Sequence, residues 1–306
     1  MMASNLALML ALFIGAVPDA QDRTLEHNGK SRTYRLCMPA SAAKGKPIPL
    51  VIVLHGAGAN GKMTEALSGF TPVADRNGFA VVYPDAINGL WRFWETARAQ
   101  ATPKEGQPDD IGFIDAIIGQ LKREGIVDSQ RVYVTGISNG AYMTHRLACE
   151  LPNRIAAIAP VAGTMVALMG ATLKPPRAMP VLYFHGTDDK IVGIDGIDMF
   201  SKRQVSLSAD EMVNWWAKYN RCAATPRIEM LEDKVSDGIS VERRTFAPGT
   251  DGAPVIYYRV LGGGHTWPGG HFQPEGILGK TCQDIDATEI MWEFFKAHKL
   301  PAAASE

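Results

Sequence analysis

Ser138 stands in Gly136-Ile137-Ser138-Asn139-Gly140, the five-residue pattern of a nucleophile elbow. A serine hydroxyl attacks poorly unless a base takes its proton and a third group holds that base in place. His265, within Gly262-Gly263-Gly264-His265-Thr266-Trp267-Pro268-Gly269-Gly270, is the leading base. The acid is expected in His185-Gly186-Thr187-Asp188-Asp189, which lies between the serine and the histidine as the order serine, acid, histidine demands. Asp189 is the favoured acid and Asp188 the alternative, with the other aspartate capping the loop by accepting backbone N–H bonds. Residues of these types in this order imply acyl transfer through a covalent acyl-serine.

Attack on a carbonyl places negative charge on its oxygen, and backbone N–H groups can stabilise that charge. Asn139, directly after the serine, and Ala57, in His55-Gly56-Ala57-Gly58, are the expected oxyanion-hole donors, with Gly58 as the alternative to Ala57. His55 is expected to shape this loop and not to carry the proton. No metal or cofactor is called for: His265 and His271 lack a convincing third ligand. Trp267, Trp91 and Trp94 are candidate substrate-binding walls, although Trp267 serves equally well as packing under the His265 loop.

These residues need strands that end beside one another. Apolar runs predict strands at Leu50 to Leu54, Phe79 to Tyr83, Arg131 to Thr135, Ile155 to Ala159, Val181 to Phe184 and Val255 to Val260, with an outer strand at Arg32 to Leu36. Helical spacing joins Phe113, Ile114, Ile117, Ile118 and Leu121, then Ala141 to Cys149, then Met212, Trp215, Trp216 and Tyr219. A last helix begins near Asp286, with Glu289 at the reciprocal position of a capping box. Strands alternating with helices predict an α/β fold with a mainly parallel sheet. Ser138 then falls between a strand and a helix, as an elbow requires.

The chain of 306 residues is 46% hydrophobic and 21% charged, which fits one globular catalytic domain. Its net charge of −1 and the lack of a long basic run argue against nucleic acid as a partner. The apolar run Leu6 to Val17 is shorter than the roughly 20 residues a membrane span needs. It is expected to act as an export signal over residues 1–20, with a catalytic domain at 21–301, a tail at 302–306 and a secreted or periplasmic location. Cys37, Cys149, Cys222 and Cys282 are an even set, compatible in an exported chain with two disulfides in any of three pairings.

Together LHGAG, GISNG, HGTDD and GGGHTWPGG resemble the polyhydroxybutyrate depolymerase and feruloyl esterase-like branch of the α/β hydrolases. The resemblance runs from about Arg32 to Leu300 and includes DDIGF, RVYVTG and DATEIMWEFF. It implies an α/β-hydrolase fold in a single domain, with Ser138 as nucleophile, Asp189 as acid and His265 as base. It also implies a serine esterase that acts on a small or oligomeric ester, with short or oligomeric 3-hydroxybutyrate esters first and feruloyl or acetylxylan esters as the alternative. A serine peptidase and a non-catalytic binding protein are the competing readings.

Overall fold

The computed structural model describes residues 19–42, 45–94, 107–173, 175–197, 203–249 and 252–301. The expected leader up to residue 18 and the tail at 302–306 lie outside them. Chain order runs through β1 (Asp19–His27), β2 (Lys30–Met38), β3 (Ile48–Leu54), α1 (Gly61–Ser68), α2 (Phe70–Asn77), β4 (Ala80–Pro84) and α3 (Asp110–Arg123). It continues with β5 (Val127–Ile137), α4 (Asn139–Glu150), β6 (Ala157–Val161), α5 (Ala167–Thr172), β7 (Val181–Gly186) and α6 (Ala209–Tyr219). The last elements are β8 (Arg227–Met230), β9 (Ser240–Phe246), β10 (Val255–Leu261), α7 (Glu275–Leu278) and α8 (Ala287–Lys296). Because β1 begins at Asp19, removal of residues 1–20 would take the first two residues of that strand.

All ten strands form one sheet in the order β1-β2-β4-β3-β5-β6-β7-β10-β9-β8. The inner strands β4, β3, β5, β6, β7 and β10 are parallel. Antiparallel pairs close both sides, β1 with β2 on β4 and β8 with β9 on β10. The expected outer strand at Arg32 to Leu36 is therefore second from the edge, covered by a β1 whose polar sequence, QDRTLEH, carries little apolar alternation. β8 and β9 are polar for the same reason: they lie toward the rim and bury few side chains.

Both faces of the parallel strands are buried, which explains their nearly unbroken apolar runs. Along β3, Leu50, Ile52 and Leu54 face one core with Phe113 of α3, Met143 of α4 and Trp216 of α6. Val51 and Val53 face the other core, with Phe70 of α2 and Met291 and Phe295 of α8. Asp286 caps α8 by accepting from the N–H groups of Thr288 and Glu289. The Glu289 carboxylate turns to Arg76 instead of completing the expected box. A complete capping box forms at Ser208 and Glu211, at the start of α6. Among the described residues no helix is long and apolar enough to cross a membrane.

The four cysteines are free thiols, so the expected disulfides are absent. Cys37 and Cys282 pack on one face of the sheet, whereas Cys149 and Cys222 lie against the other. Burial pushes Cys37 and Cys149 up to about 12 and Cys282 up to about 11, which leaves them as inert packing groups.

Glycine packing gives a direct test of this arrangement. A Cβ on Gly140 would lie 2.5 Å from the Leu54 carbonyl oxygen and 2.6 Å from that of His55, both backbone atoms with little freedom to retreat. Gly140→Ala should therefore destabilise the fold by about 1–3 kcal/mol. In α3 a Cβ on Gly119 meets only the tip of Arg123, at 3.3 Å, and Gly119→Ala should stabilise by about 0.5–1 kcal/mol. Urea denaturation of the two variants should move the midpoint in opposite directions, and a shared direction would contradict the packing described.

Candidate active site

Ser138 leaves β5 with φ 57° and ψ −120°, and its N–H donates to Val161 O at 2.9 Å while α4 begins at the next residue. The flanking glycines act differently from a simple turn requirement, since neither has a positive φ. They allow close approach: a Cβ on Gly136 would lie 2.8 Å from the backbone of Gly140. The strained residue is the serine itself. Its side chain is thereby lifted off the carboxyl edge of the sheet, where ligands of parallel α/β sheets bind.

The loop after β3 lies against this turn, and a Cβ on Gly56 would be 3.5 Å from Ser138 Cβ. Three side chains lock the loop in place. Asn139 Oδ1 accepts from Trp91 N–H at 2.7 Å and its Nδ2 donates to Trp91 O. The Trp91 indole N–H then donates to His55 O at 3.0 Å. His55 Nε2 accepts from Ala86 N–H, which leaves its hydrogen on Nδ1 to donate to Gly56 O. Burial also lowers the His55 pKa, so this imidazole is a neutral structural group, as expected for a loop-shaping residue. The Gly58 N–H is taken by Gly89 O at 2.8 Å, which removes it as an oxyanion donor. The N–H groups of Ala57 and Asn139 have no acceptor among the described residues.

On the other side of the serine, His265 Nδ1 donates to Asp189 Oδ2 at 2.7 Å. Asp189 is buried, and its Oδ1 accepts from Ile191 and Val192 N–H groups, each at 2.9 Å. Burial alone would raise the Asp189 pKa. The hydrogen-bonding contacts of His185 and His265 outweigh it and hold the carboxyl well below the usual carboxylate range. Asp188 is exposed, and among the described residues its carboxylate accepts a hydrogen bond from Thr187 and none from His265. Glycines again permit the contact between strands, because a Cβ on Gly186 would lie 2.2 Å from Gly263 O.

Ser138, His265 and Ala57 all line one cavity of about 720 Å³. Its walls are mainly apolar, with Met63 and Leu67 from α1, Ile191, and Phe272 from the loop beyond His265. His265 makes its side-chain hydrogen bond to Asp189, and none to the Ser138 hydroxyl, a contact that tightens in many enzymes only when substrate is bound. Trp267 and Trp91 do not wall this cavity. Both are fully buried, Trp267 edge-on to Phe70 with its N–H on Thr288, and Trp91 in the bracket just described. Trp94 is 44% exposed and borders a neighbouring hollow of about 330 Å³ with Phe93 and Tyr142. The two hollows share Ile191.

Sequence reasoning missed His185, whose Nε2 lies 3.2 Å from Asp189 Oδ2, and the cavity walls from α1. The signal for His185 was its spacing four residues before Asp189. Nothing in the pattern of α1 marks Met63 and Leu67 as walls.

A mainly parallel sheet with a serine on a strained strand-to-helix turn, and a carboxylate-held imidazole beyond the neighbouring strand ends, defines an α/β hydrolase. Residues 32–207 match the family described as Esterase PHB depolymerase, and the chain belongs to that family. It is thus an esterase-family hydrolase. NocK of Nocardia uniformis subsp. tsuyamanensis is 30% identical over 278 residues, covering 87% of this chain and 79% of NocK. Feruloyl esterase B of Piromyces equi is 26% identical over 269 residues, 86% of this chain, which spans only 44% of that esterase. The solved structure of an acetyl xylan esterase from Aspergillus awamori aligns over 91% of this chain and 99% of its own. Its TM-score of 0.61 at 18% identity shows the shared fold.

The Asp189 surroundings set a stability that depends on pH. Its folded-state pKa lies below that of the unfolded carboxyl, so the contribution is present above the unfolded value, about 3.9, and is lost as pH falls toward the folded one. Asp189→Asn should cost about 1.5–3 kcal/mol near neutral pH, because a buried charged acceptor is removed from its donors. The exposed Asp188→Asn should stay within about 0.5 kcal/mol of the parent. Urea denaturation should show the gap between parent and Asp189→Asn narrowing as pH is lowered; a gap that widens would contradict the assigned direction.

Proposed function

We propose that the chain is a serine carboxylic-ester hydrolase with Ser138 as nucleophile, His265 as general base and acid, and Asp189 as the carboxylate that orients His265. One observation carries this reading: the strained serine, the carboxylate-bound imidazole and the unengaged Ala57 N–H border a single cavity, with the Asn139 N–H next to the serine. In the reaction His265 Nε2 takes the Ser138 proton as Oγ bonds to the ester carbonyl carbon. The Ala57 and Asn139 N–H groups stabilise the resulting oxyanion. His265 then gives its proton to the departing alcohol, and water repeats the sequence on the acyl-serine to release the acid. Asp189 stays ionised throughout and stabilises the imidazolium.

For the substrate, the proposal favours feruloyl or acetyl esters of plant-wall polysaccharides over hydroxybutyrate esters. A cavity of about 720 Å³ with the Phe272 ring at its mouth has room for an aromatic feruloyl group, or for the sugar that carries an acetyl group. Similarity to feruloyl esterase B along most of this chain supports the same choice. The mainly apolar lining and the family description keep oligomeric hydroxybutyrate esters as the second reading.

Ser138→Ala should lower turnover of p-nitrophenyl acetate by about a thousandfold or more while circular dichroism stays unchanged. Near-normal turnover by that folded variant would remove Ser138 from the mechanism. Across methyl ferulate, acetylated xylan, hydroxybutyrate oligomers and a peptide panel, kcat/KM should be highest for a plant-wall ester. A clear preference for hydroxybutyrate oligomers would select the second reading, and cleavage of peptides alone would overturn both.

A further inference from the structure

Below the catalytic carboxylate lies a second histidine that the acyl-transfer steps do not use. His185, at the end of β7, is 1% exposed. Its Nε2 lies 2.9 Å from Val192 O and 3.2 Å from Asp189 Oδ2, while its Nδ1 meets the hydroxyl of Tyr183 on the same strand. These partners determine the tautomer. Two oxygens crowd Nε2, so the hydrogen must sit there, because a bare nitrogen lone pair facing both would be repelled. Nδ1 is then an acceptor, and the Tyr183 hydroxyl supplies its hydrogen.

We infer that His185 is a positioning residue, locked by Tyr183 so that its Nε2–H holds both Asp189 and the turn that binds Asp189. The hydrogen points chiefly at Val192 O. Since Val192 N–H, together with Ile191 N–H, binds Asp189 Oδ1, fixing the Val192 peptide fixes the donors on that oxygen. The same N–H sits beside Oδ2, the oxygen that receives His265. Its partial positive charge offsets part of the carboxylate's pull on the His265 proton. His185 thus acts on acyl transfer through Asp189, without touching substrate or serine. The inference rests on the triad reading above.

Among the described residues, other charged and titratable groups act on this site through Tyr183. Tyr257 of β10 and His145 of α4 flank the Tyr183 ring at centroid distances of 5.0 and 6.4 Å. Tyr142 of α4 and Asp210 of α6 also act on Tyr183 through space. Asp189 is the described titratable group that meets the His185 Nε2, and His265 binds the same Asp189 oxygen. His145 stays neutral at working pH, since burial lowers its pKa to about 3. A change in the pH profile on altering His185 would therefore report on the Asp189 and His265 pair.

The experiment compares His185→Phe, His185→Gln and Tyr183→Phe with the parent, using p-nitrophenyl acetate between about pH 5 and pH 9. His185→Phe fills the space but has no donor. Its kcat should fall on the order of tenfold with KM within about twofold, and the acid limb of kcat/KM should move up by about half a pH unit. The upward sense follows because Asp189, without the Nε2–H beside Oδ2 and with the Val192 peptide less firmly held, keeps the His265 proton more strongly. His185→Gln, which keeps an N–H near Nε2, should recover most of kcat and return the acid limb toward the parent. Tyr183→Phe removes only the tautomer lock and should shift the limb in the same sense by less, which gives a second route to the result if His185→Phe does not fold. An unchanged or lowered acid limb in folded variants, or equal loss in the Phe and Gln variants, would overturn the inference. Ser138→Ala separates the two readings: its inactivity beside a normal His185→Phe overturns only the role of His185, whereas its retained turnover overturns the triad.

Discussion

Ser138 holds a backbone conformation, φ 57° and ψ −120°, that costs an L-residue about 1–3 kcal/mol, and the surrounding structure must impose it. The constraint comes from both sides of the residue. Val161 O on β6 accepts the Ser138 N–H, while the first turn of α4 returns Ala141 and Tyr142 N–H groups to Ser138 O. Gly140 and Gly163 lack the Cβ that would push this turn away from β3 and from the serine carbonyl. The same packing aims the first N–H of α4 and brings Gly56 against Ser138 Cβ. Relaxing the serine would therefore displace the helix end, the loop after β3 and the N–H groups of Ala57 and Asn139 together.

Two buried polar brackets stand on either side of that strained point. The Asn139, Trp91 and His55 bracket joins α4 to the loop after β3, and every bond in it satisfies a group that could not reach water. The Asp189 bracket joins β7 to the loop after β10, with backbone N–H groups on one oxygen and His265 on the other. A buried carboxylate is tolerable only when several donors surround it. Once surrounded, its orientation has few alternatives. The first bracket holds the loop that carries Gly56 and Ala57 and the second holds His265, all of which line the cavity, so the shape of the site is set by sheet packing more than by the loops' own preferences.

The parallel core was legible in the sequence because buried strands show as apolar runs: β3, β5, β7 and β10 each include the expected stretch, while β4 and β6 overlap theirs but begin one and two residues later. β1, β8 and β9 escaped because rim strands bury too little to leave a pattern. The placement of Ser138, His265 and Asp189 was legible because each must follow a strand end at short range. The roles of Trp91 and Trp267 were not, since a tryptophan beside a reactive loop has the same letter whether it faces the cavity or supports the loop from beneath. The disulfide expectation failed on a similar point: an even cysteine count carries no information about which thiols meet, and here the pairs divide between the two faces of the sheet.

That asymmetry has a physical basis. The reacting groups depend on hydrogen bonds with narrow distance and angle limits, and these in turn demand particular residue types at particular strand ends. The cavity walls obey a looser rule. Met63 and Leu67 on α1, Ile191 after Asp189, and Phe272 beyond His265 contribute apolar surface that other large side chains could supply with different shape. These walls come from segments that do not hold the serine, and Phe272 is 87% exposed, so nothing in the core restrains its replacement. Under the proposed mechanism, substitution there changes which acyl group gains most in the transition state while leaving the Ala57 and Asn139 N–H groups and the imidazole in place. One scaffold can then serve esters of different acids, with the chemistry written in bonded residues at the sheet edge and the choice of ester written in the volume above them.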